Sequence, residues 1–170
     1  MYNKFTKNAE SLNPNRPGDL KEAFNICNDT QMEQLWPDDE VPGLRSAGQQ
    51  FSQQCWTLAQ RILLLMGHGL RLDDPSYFSR LHAKSSANNS TTLRCLFYPP
   101  LNHDSVAQSR RSVCPATPVS GTVLVNIGDV MARWTADKLI STKHRVVIPE
   151  TQVNRAKARM SACCLLHASG

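Results

Sequence analysis

The apolar residues of this chain change their period at Leu93, and that change limits the folds open to it. Ahead of Leu93, the residues Leu44, Ala47, Phe51, Leu58, Ile62 and Leu65 recur at spacings of three, four and seven. Such spacing lines one face of an amphipathic helix. It predicts a helix over about 42–66 with that face in the core, Pro42 in its first turn, and Gly67 and Gly69 as its stop. A shorter helix is expected after Asp74-Pro75, turning Tyr77, Phe78 and Leu81 inward. From Leu93 onward come four short β-rich runs, "LRCLFYPP", "GTVLVNIGD", "HRVVIP" and "RMSACCLL", divided by Pro and Gly. Both faces of "TVLVNIGD" are apolar, which predicts a strand covered on two sides, as in a sandwich or barrel wall packed on the long helix. Helix first and strands after give an α+β chain with a mainly antiparallel β half. Residues 1–92 read as a helical lead-in with the long supporting helix, and 93–170 as the β-rich core.

The first forty residues are rich in Asn, Pro, Asp and Glu, with one helix-like piece, "DLKEAFNI", opened by Asp19 as N-cap. "SSANNSTT", from Ser85 to Thr92, reads as a flexible loop. A length of 170 residues with 41% hydrophobic content suits a single core. Lys+Arg 19 against Asp+Glu 14 gives a net charge of +5, which suits anionic partners, from nucleic acid to small carboxylates. Nucleic acid is the weaker expectation, because aromatics are 6% of residues and none interleave with Arg155, Lys157 and Arg159. "MYNKFTKNAE" lacks a signal-like apolar core, and no apolar run approaches the roughly 20 residues that cross a membrane. A cytoplasmic protein with neither a membrane nor a nucleic-acid partner is therefore expected. Cys27, Cys55, Cys95, Cys114, Cys163 and Cys164 contain no C-x-x-C pair and read as reduced thiols.

Three segments carry a resemblance: "FYPP" (Phe97 to Pro100), "NIGDVMARWTADKLISTKHRV" (Asn126 to Val146) and "RMS" (Arg159 to Ser161). In order and spacing they resemble the isopenicillin-N-synthase-like family of Fe(II)- and 2-oxoglutarate-dependent dioxygenases. With "DLKEAFNI" and "LWPDDEVPG", the resemblance extends with gaps from about Tyr2 to His167. It implies a double-stranded β-helix, or jelly roll, packed against a long helix, and two cofactors, Fe(II) and 2-oxoglutarate. The family binds iron by a His-x-Asp pair and a distant second histidine, which His144 matches. Arg159 and Ser161 match the R-x-S pair that clamps the far carboxylate of 2-oxoglutarate, guanidinium bidentately and hydroxyl as a further donor. Tyr98 matches a position that lines the same pocket. Asn126, Gly128 and Asp129 read as turn and packing residues ahead of Trp134. Taken without the family, each has a plainer reading: a structural histidine, a solvated arginine, and a half-buried tyrosine at a strand end.

The His-x-Asp of the family is not in this sequence. The interval where it belongs, Leu101 to Ser120, is 20 residues long and holds about two short strands, so a block of the family's fold is expected to be absent. His103-Asp104 is the nearest substitute for the metal pair. Adjacent strand residues point to opposite faces, so only a loop brings both to one ion, and a polar surface loop is the rival reading. His68 and His82 read as capping or surface residues, and His167 lies in a tail, "ACCLLHASG", that departs from the family. The resulting expectation is an incomplete double-stranded β-helix with exposed edges through which chains could associate. Two functions follow from it. One is an Fe(II)- and 2-oxoglutarate-dependent oxidoreductase acting on a small organic substrate. The other is a catalytically inactive truncated isoform or pseudoenzyme that keeps a carboxylate-binding pocket.

Overall fold

A computed structural model describes residues 21–27, 35–83, 91–101, 114–147, 154 and 156–167. In chain order it holds β1 (Glu22–Cys27), α1 (Leu44–Gly69), α2 (Tyr77–Leu81), β2 (Thr92–Tyr98), α3 (Asp129–Trp134) and β3 (Arg159–Leu165). The chain divides into two compact units, Met1–Pro100 with Lys157–Gly170, and Leu101–Ala156.

The first unit is an antiparallel three-stranded sheet, ordered β1-β2-β3, with α1 against one face. β2 and β3 fall where "LRCLFYPP" and "RMSACCLL" predict strands. β1 corrects the expectation of a helix in "DLKEAFNI": Glu22–Cys27 is a strand paired with β2 from Glu22↔Phe97 to Cys27↔Thr92. Glu22, Phe24 and Ile26 alternate inward, and the ladder to β2 outweighs a helical tendency that six residues cannot sustain alone. Asp19 lies outside the described residues, as does most of the "SSANNSTT" loop.

Residues opposite one another in the register share a face. Ile26, Leu93 and Cys164 form one such row, with Leu93 only 1% exposed. α1 closes over this row at Gly48, where an added Cβ would lie 2.6 Å from Ile26 Cδ1. Trp36 completes the cluster, with its ring centroid 5.6 Å from that of Phe24. All six cysteines stand as thiols. Burial pushes the Cys164 thiol up to about 11, helped by nearby Cys55 and Cys163, and raises Cys55 and Cys95 as well.

The buried stripe of α1 is Gly48, Ala59, Leu63 and Gly67. This corrects the predicted core face, because Phe51, Leu58 and Leu65 are exposed, Leu65 by 68%. Small residues let the helix lie close to its neighbours, so the apolar stripe of highest hydropathy is not the one that packs. The helix also runs through both glycines expected to end it. Its stop is Arg71, at φ 54, with Arg71 N–H donating to His68 O and Leu72 N–H to Gly67 O. Gly67 serves close packing instead: a Cβ there would lie 2.1 Å from the Pro75 carbonyl oxygen.

α2 buries Phe78 as expected, while Tyr77 is exposed. Asp74 accepts from the Ser76 N–H and hydroxyl and pairs with Arg80; the Ser76 hydroxyl bond is the first cause of its lowered pKa. Of the two readings of His82, capping or surface, the structure takes the first: it is the C-cap residue of α2. It is buried, with Nδ1 2.8 Å from the Phe78 carbonyl oxygen.

The second unit holds α3, which starts at Gly128 with Asp129 in its first turn, where a carboxylate meets unpaired N–H groups. Thr135, buried, folds its hydroxyl back to Met131 O and receives the Leu139 N–H. Ala136 and Asp137 then take left-handed φ values of 49 and 60 to turn the chain. The two strands expected around "TVLVNIGD" and "HRVVIP" are corrected: residues 122–128 and 140–147 lie outside any helix or strand. Val123, Leu124, Val125 and Val146 are exposed rather than covered on two sides. An apolar run becomes a strand only with a partner for its backbone N–H and C=O groups, and among the described residues none pairs with these.

Candidate functional site

The sheet face away from α1 carries Asn25 of β1, Arg94, Leu96 and Tyr98 of β2, and Arg159, Ser161 and Cys163 of β3. Its strand positions include two arginines and no carboxylate, so the local field favours an anion. β3 pairs Tyr98 with Arg159 and Leu96 with Ser161. The three residues expected to hold a carboxylate therefore come together at one end of the sheet. Strand alternation puts Arg159 and Ser161 on one face, two positions apart. The Arg159 guanidinium carbon lies 4.2 Å from the Tyr98 ring centroid, a cation–π stack. Arg159 and Ser161 are exposed, and Tyr98 is half-buried. A planar guanidinium beside a hydroxyl matches one carboxylate: two parallel N–H donors and one O–H donor. Arg94 escapes motif reading, although the alternation Arg94, Leu96, Tyr98 in "LRCLFYPP" places it on this face. Its Nε–H donates to Asn25 Oδ1 at 2.9 Å.

His144 belongs to the second unit and is exposed. Its Nδ1 lies 2.9 Å from the Thr142 carbonyl oxygen. A carbonyl only accepts, so Nδ1 carries the proton in that bond, which leaves the Nε2 lone pair of a neutral ring available to a metal. One imidazole does not hold Fe(II) by itself, however. Among the described residues no three His, Cys, Asp or Glu side chains gather closely enough to bind a metal ion, and His103 and Asp104 lie outside those residues. Arg159 and Ser161 thus fit a carboxylate, and the described residues do not by themselves fit iron. A cavity in the second unit, with Asp129, Arg133, Asp137 and Ile140 in its lining, contains none of the predicted site residues.

The chain belongs to the 2OG-Fe(II) oxygenase superfamily, whose profile matches residues 73–168. It is 28% identical to the 2-oxoglutarate-Fe(II) type oxidoreductase ppzD of Metarhizium rileyi, over 84% of this chain and 49% of that protein. Its fold resembles a Caulobacter crescentus protein described as of the 2OG-Fe(II) oxygenase family, with TM-score 0.77 and 22% identity, over 97% of this chain and 62% of that one. It also resembles a full-length Neurospora crassa protein solved in complex with alpha-KG, with TM-score 0.70 and 25% identity, over 89% and 57% of the two chains. The chain spans about half the length of the curated relatives it matches. The alignment with ppzD runs over 178 positions, more than the 170 residues of this chain. The aligned stretch of the relative therefore includes residues with no counterpart here.

Proposed function

We propose that this chain binds 2-oxoglutarate as a member of an Fe(II)- and 2-oxoglutarate-dependent dioxygenase family acting on a small organic substrate. The observation that carries the reading is the meeting of Arg159, Ser161 and Tyr98 at one end of an acid-free sheet face. Arg159 supplies charge and two parallel donors to the far carboxylate, Ser161 supplies the hydroxyl, and Leu96 gives the methylene stem an apolar floor. 2-Oxoglutarate supplies two electrons to oxygen as it loses carbon dioxide and becomes succinate. His144 is the candidate second iron histidine, with its Nε2 lone pair held ready by the Thr142 carbonyl. The fold proposed for the β half is an incomplete double-stranded β-helix, with the three-stranded sheet as one of its two layers.

A second reading is favoured by one observation, the lack of any three-ligand cluster among the described residues together with the lack of a His-x-Asp in the sequence. In it the chain keeps the carboxylate site and turns nothing over. One anaerobic titration separates the two. Fe(II) and 2-oxoglutarate are added to the full chain and to His144→Ala, while the visible metal-to-ligand charge-transfer band and the heat of 2-oxoglutarate binding are recorded. A band that requires His144 is the outcome expected of the oxygenase. Binding heat without a band means a carboxylate-binding family member without iron, and neither signal in folded protein rejects both.

A further inference from the structure

β3 is the last strand of a sheet ordered β1-β2-β3, so only one of its long edges has a partner. Every second residue of an antiparallel strand turns its N–H and C=O away from the neighbour it bonds. Along β3 these groups point outward in a row, and among the described residues no backbone hydrogen bond joins Arg159–Leu165 to any segment but β2. Six of the seven residues are exposed, Met160 by 77%. Edges that stay single are commonly blunted by a lysine, a proline or a bulge. β3 has none of these. Its register with β2 runs unbroken from Thr92↔Leu165 to Tyr98↔Arg159, and after Arg159 the strand reads Met-Ser-Ala-Cys-Cys-Leu without a charge.

A strand that pairs there must offer open backbone groups of its own and bring no cation against Arg159, and β3 of a second copy does both. Charge decides the direction. Parallel pairing would set Arg159 beside Arg159 of the second copy, and like charges side by side repel. In antiparallel pairing centred on Ala162, Arg159 falls opposite Leu165, Met160 opposite Cys164 and Ser161 opposite Cys163. Met160 and Cys164 alternate onto the α1 side of the sheet, so this register also covers the exposed Met160. The same edge then serves both copies about a two-fold axis, and the contact closes at two. We infer that β3 is a docking edge for a second copy of this chain, with three strands from each copy forming one continuous sheet. One strand pair covers less than the roughly 1,200 Å² of a standard interface, so the dimer is of the weak, concentration-dependent kind. In the dilute chain β3 stays an edge.

The test follows the mass of the full chain by sedimentation equilibrium from low micromolar to about 1 mM, the range in which weak pairs form. The parent is expected to rise from 19.0 kDa toward twice that value and to stop there. Leu165→Glu sets a carboxylate opposite Arg159 twice in each dimer and should tighten association about fivefold, whereas Leu165→Arg should weaken it by a similar factor. Amide exchange at the concentrated end should slow in β3 relative to the dilute chain. Where either variant loses its far-ultraviolet circular dichroism, the parent's mass and β3 exchange decide alone. A parent that stays at 19.0 kDa up to about 1 mM overturns the inference. Growth beyond two copies, equal effects of the two substitutions in folded protein, or a dimer whose β3 amides exchange as in the dilute chain overturns it too.

Discussion

At the scale of single residues, the positions that matter most are those where an atom has no room or a dihedral has no choice. Gly67 lies inside α1, where glycine costs about 1 kcal/mol against alanine. It is kept there because Pro75 crosses so closely that a Cβ would lie 2.1 Å from a backbone oxygen, which is not the movable tip of a side chain. Gly69, two residues on, has nothing within 4 Å of the same built atom. Gly67→Ala should therefore lower unfolding free energy by about 2 kcal/mol or more, as overpacking does, through displacement of the Pro75 turn and the α2 that follows it. Gly69→Ala should be neutral or slightly stabilising. Urea unfolding of both variants checks the pair; equal midpoints would mean that Pro75 does not crowd Gly67. The same logic explains why sequence misplaces the end of α1. Glycine is the usual left-handed residue at a helix end, but here that conformation falls on Arg71, and no sequence pattern marks an arginine for it.

At the scale of elements, a hydrophobic period reports that a helix exists more securely than which of its sides is buried. Leu44, Phe51, Leu58 and Leu65 give α1 a clear period, and the helix forms close to the predicted span. Its core contacts go through Gly48, Ala59 and Leu63, because small residues bring the backbone nearer to β1 and α2 than a row of leucines would. Only the packed structure distinguishes the two stripes. Leu63→Ala should accordingly destabilise by about 2–4 kcal/mol, whereas Leu65→Ala should stay within about 0.5 kcal/mol. Thermal and denaturant unfolding of the two variants decides the matter, and the reverse ranking would restore the face predicted from periodicity. β1 teaches the complementary lesson. "EAFNIC" is too short for a helix to stand alone, its alternation of Phe24 and Ile26 is legible only as two apolar residues, and its partner β2 is some 65 positions away. The R-x-S strand is legible because its signal is local: the residues that would touch one carboxylate are neighbours on β3.

At the scale of the whole molecule, the proposed oxygenase reading turns on whether residues 122–128 and 140–147 pair with other strands. In the first unit α1 lies against one sheet face, and the opposite face carries Leu96, Tyr98, Arg159 and Ser161. A double-stranded β-helix sets two sheets face to face. Of the runs that sequence alone reads as strands, "GTVLVNIGD" and "HRVVIP", the described residues 122–128 and 144–147 form no ladder, and their Val123, Leu124 and Val146 remain exposed. A backbone run without a paired neighbour lacks the hydrogen bonds that define a strand. Amide hydrogen exchange reads this directly, residue by residue. β2, the central strand, and the middle of α1 should be the slowest to exchange, and β3 should be intermediate as an edge. Residues 122–128 and 140–147 should exchange at close to unprotected rates. Saturating 2-oxoglutarate, at about 100 times its dissociation constant, should slow β2 and β3 by up to the factor matching about 2.7 kcal/mol, provided these strands open only by global unfolding. It should leave 122–128 unchanged. Protection of 122–128 in the ligand-free chain would mean that these residues pair after all.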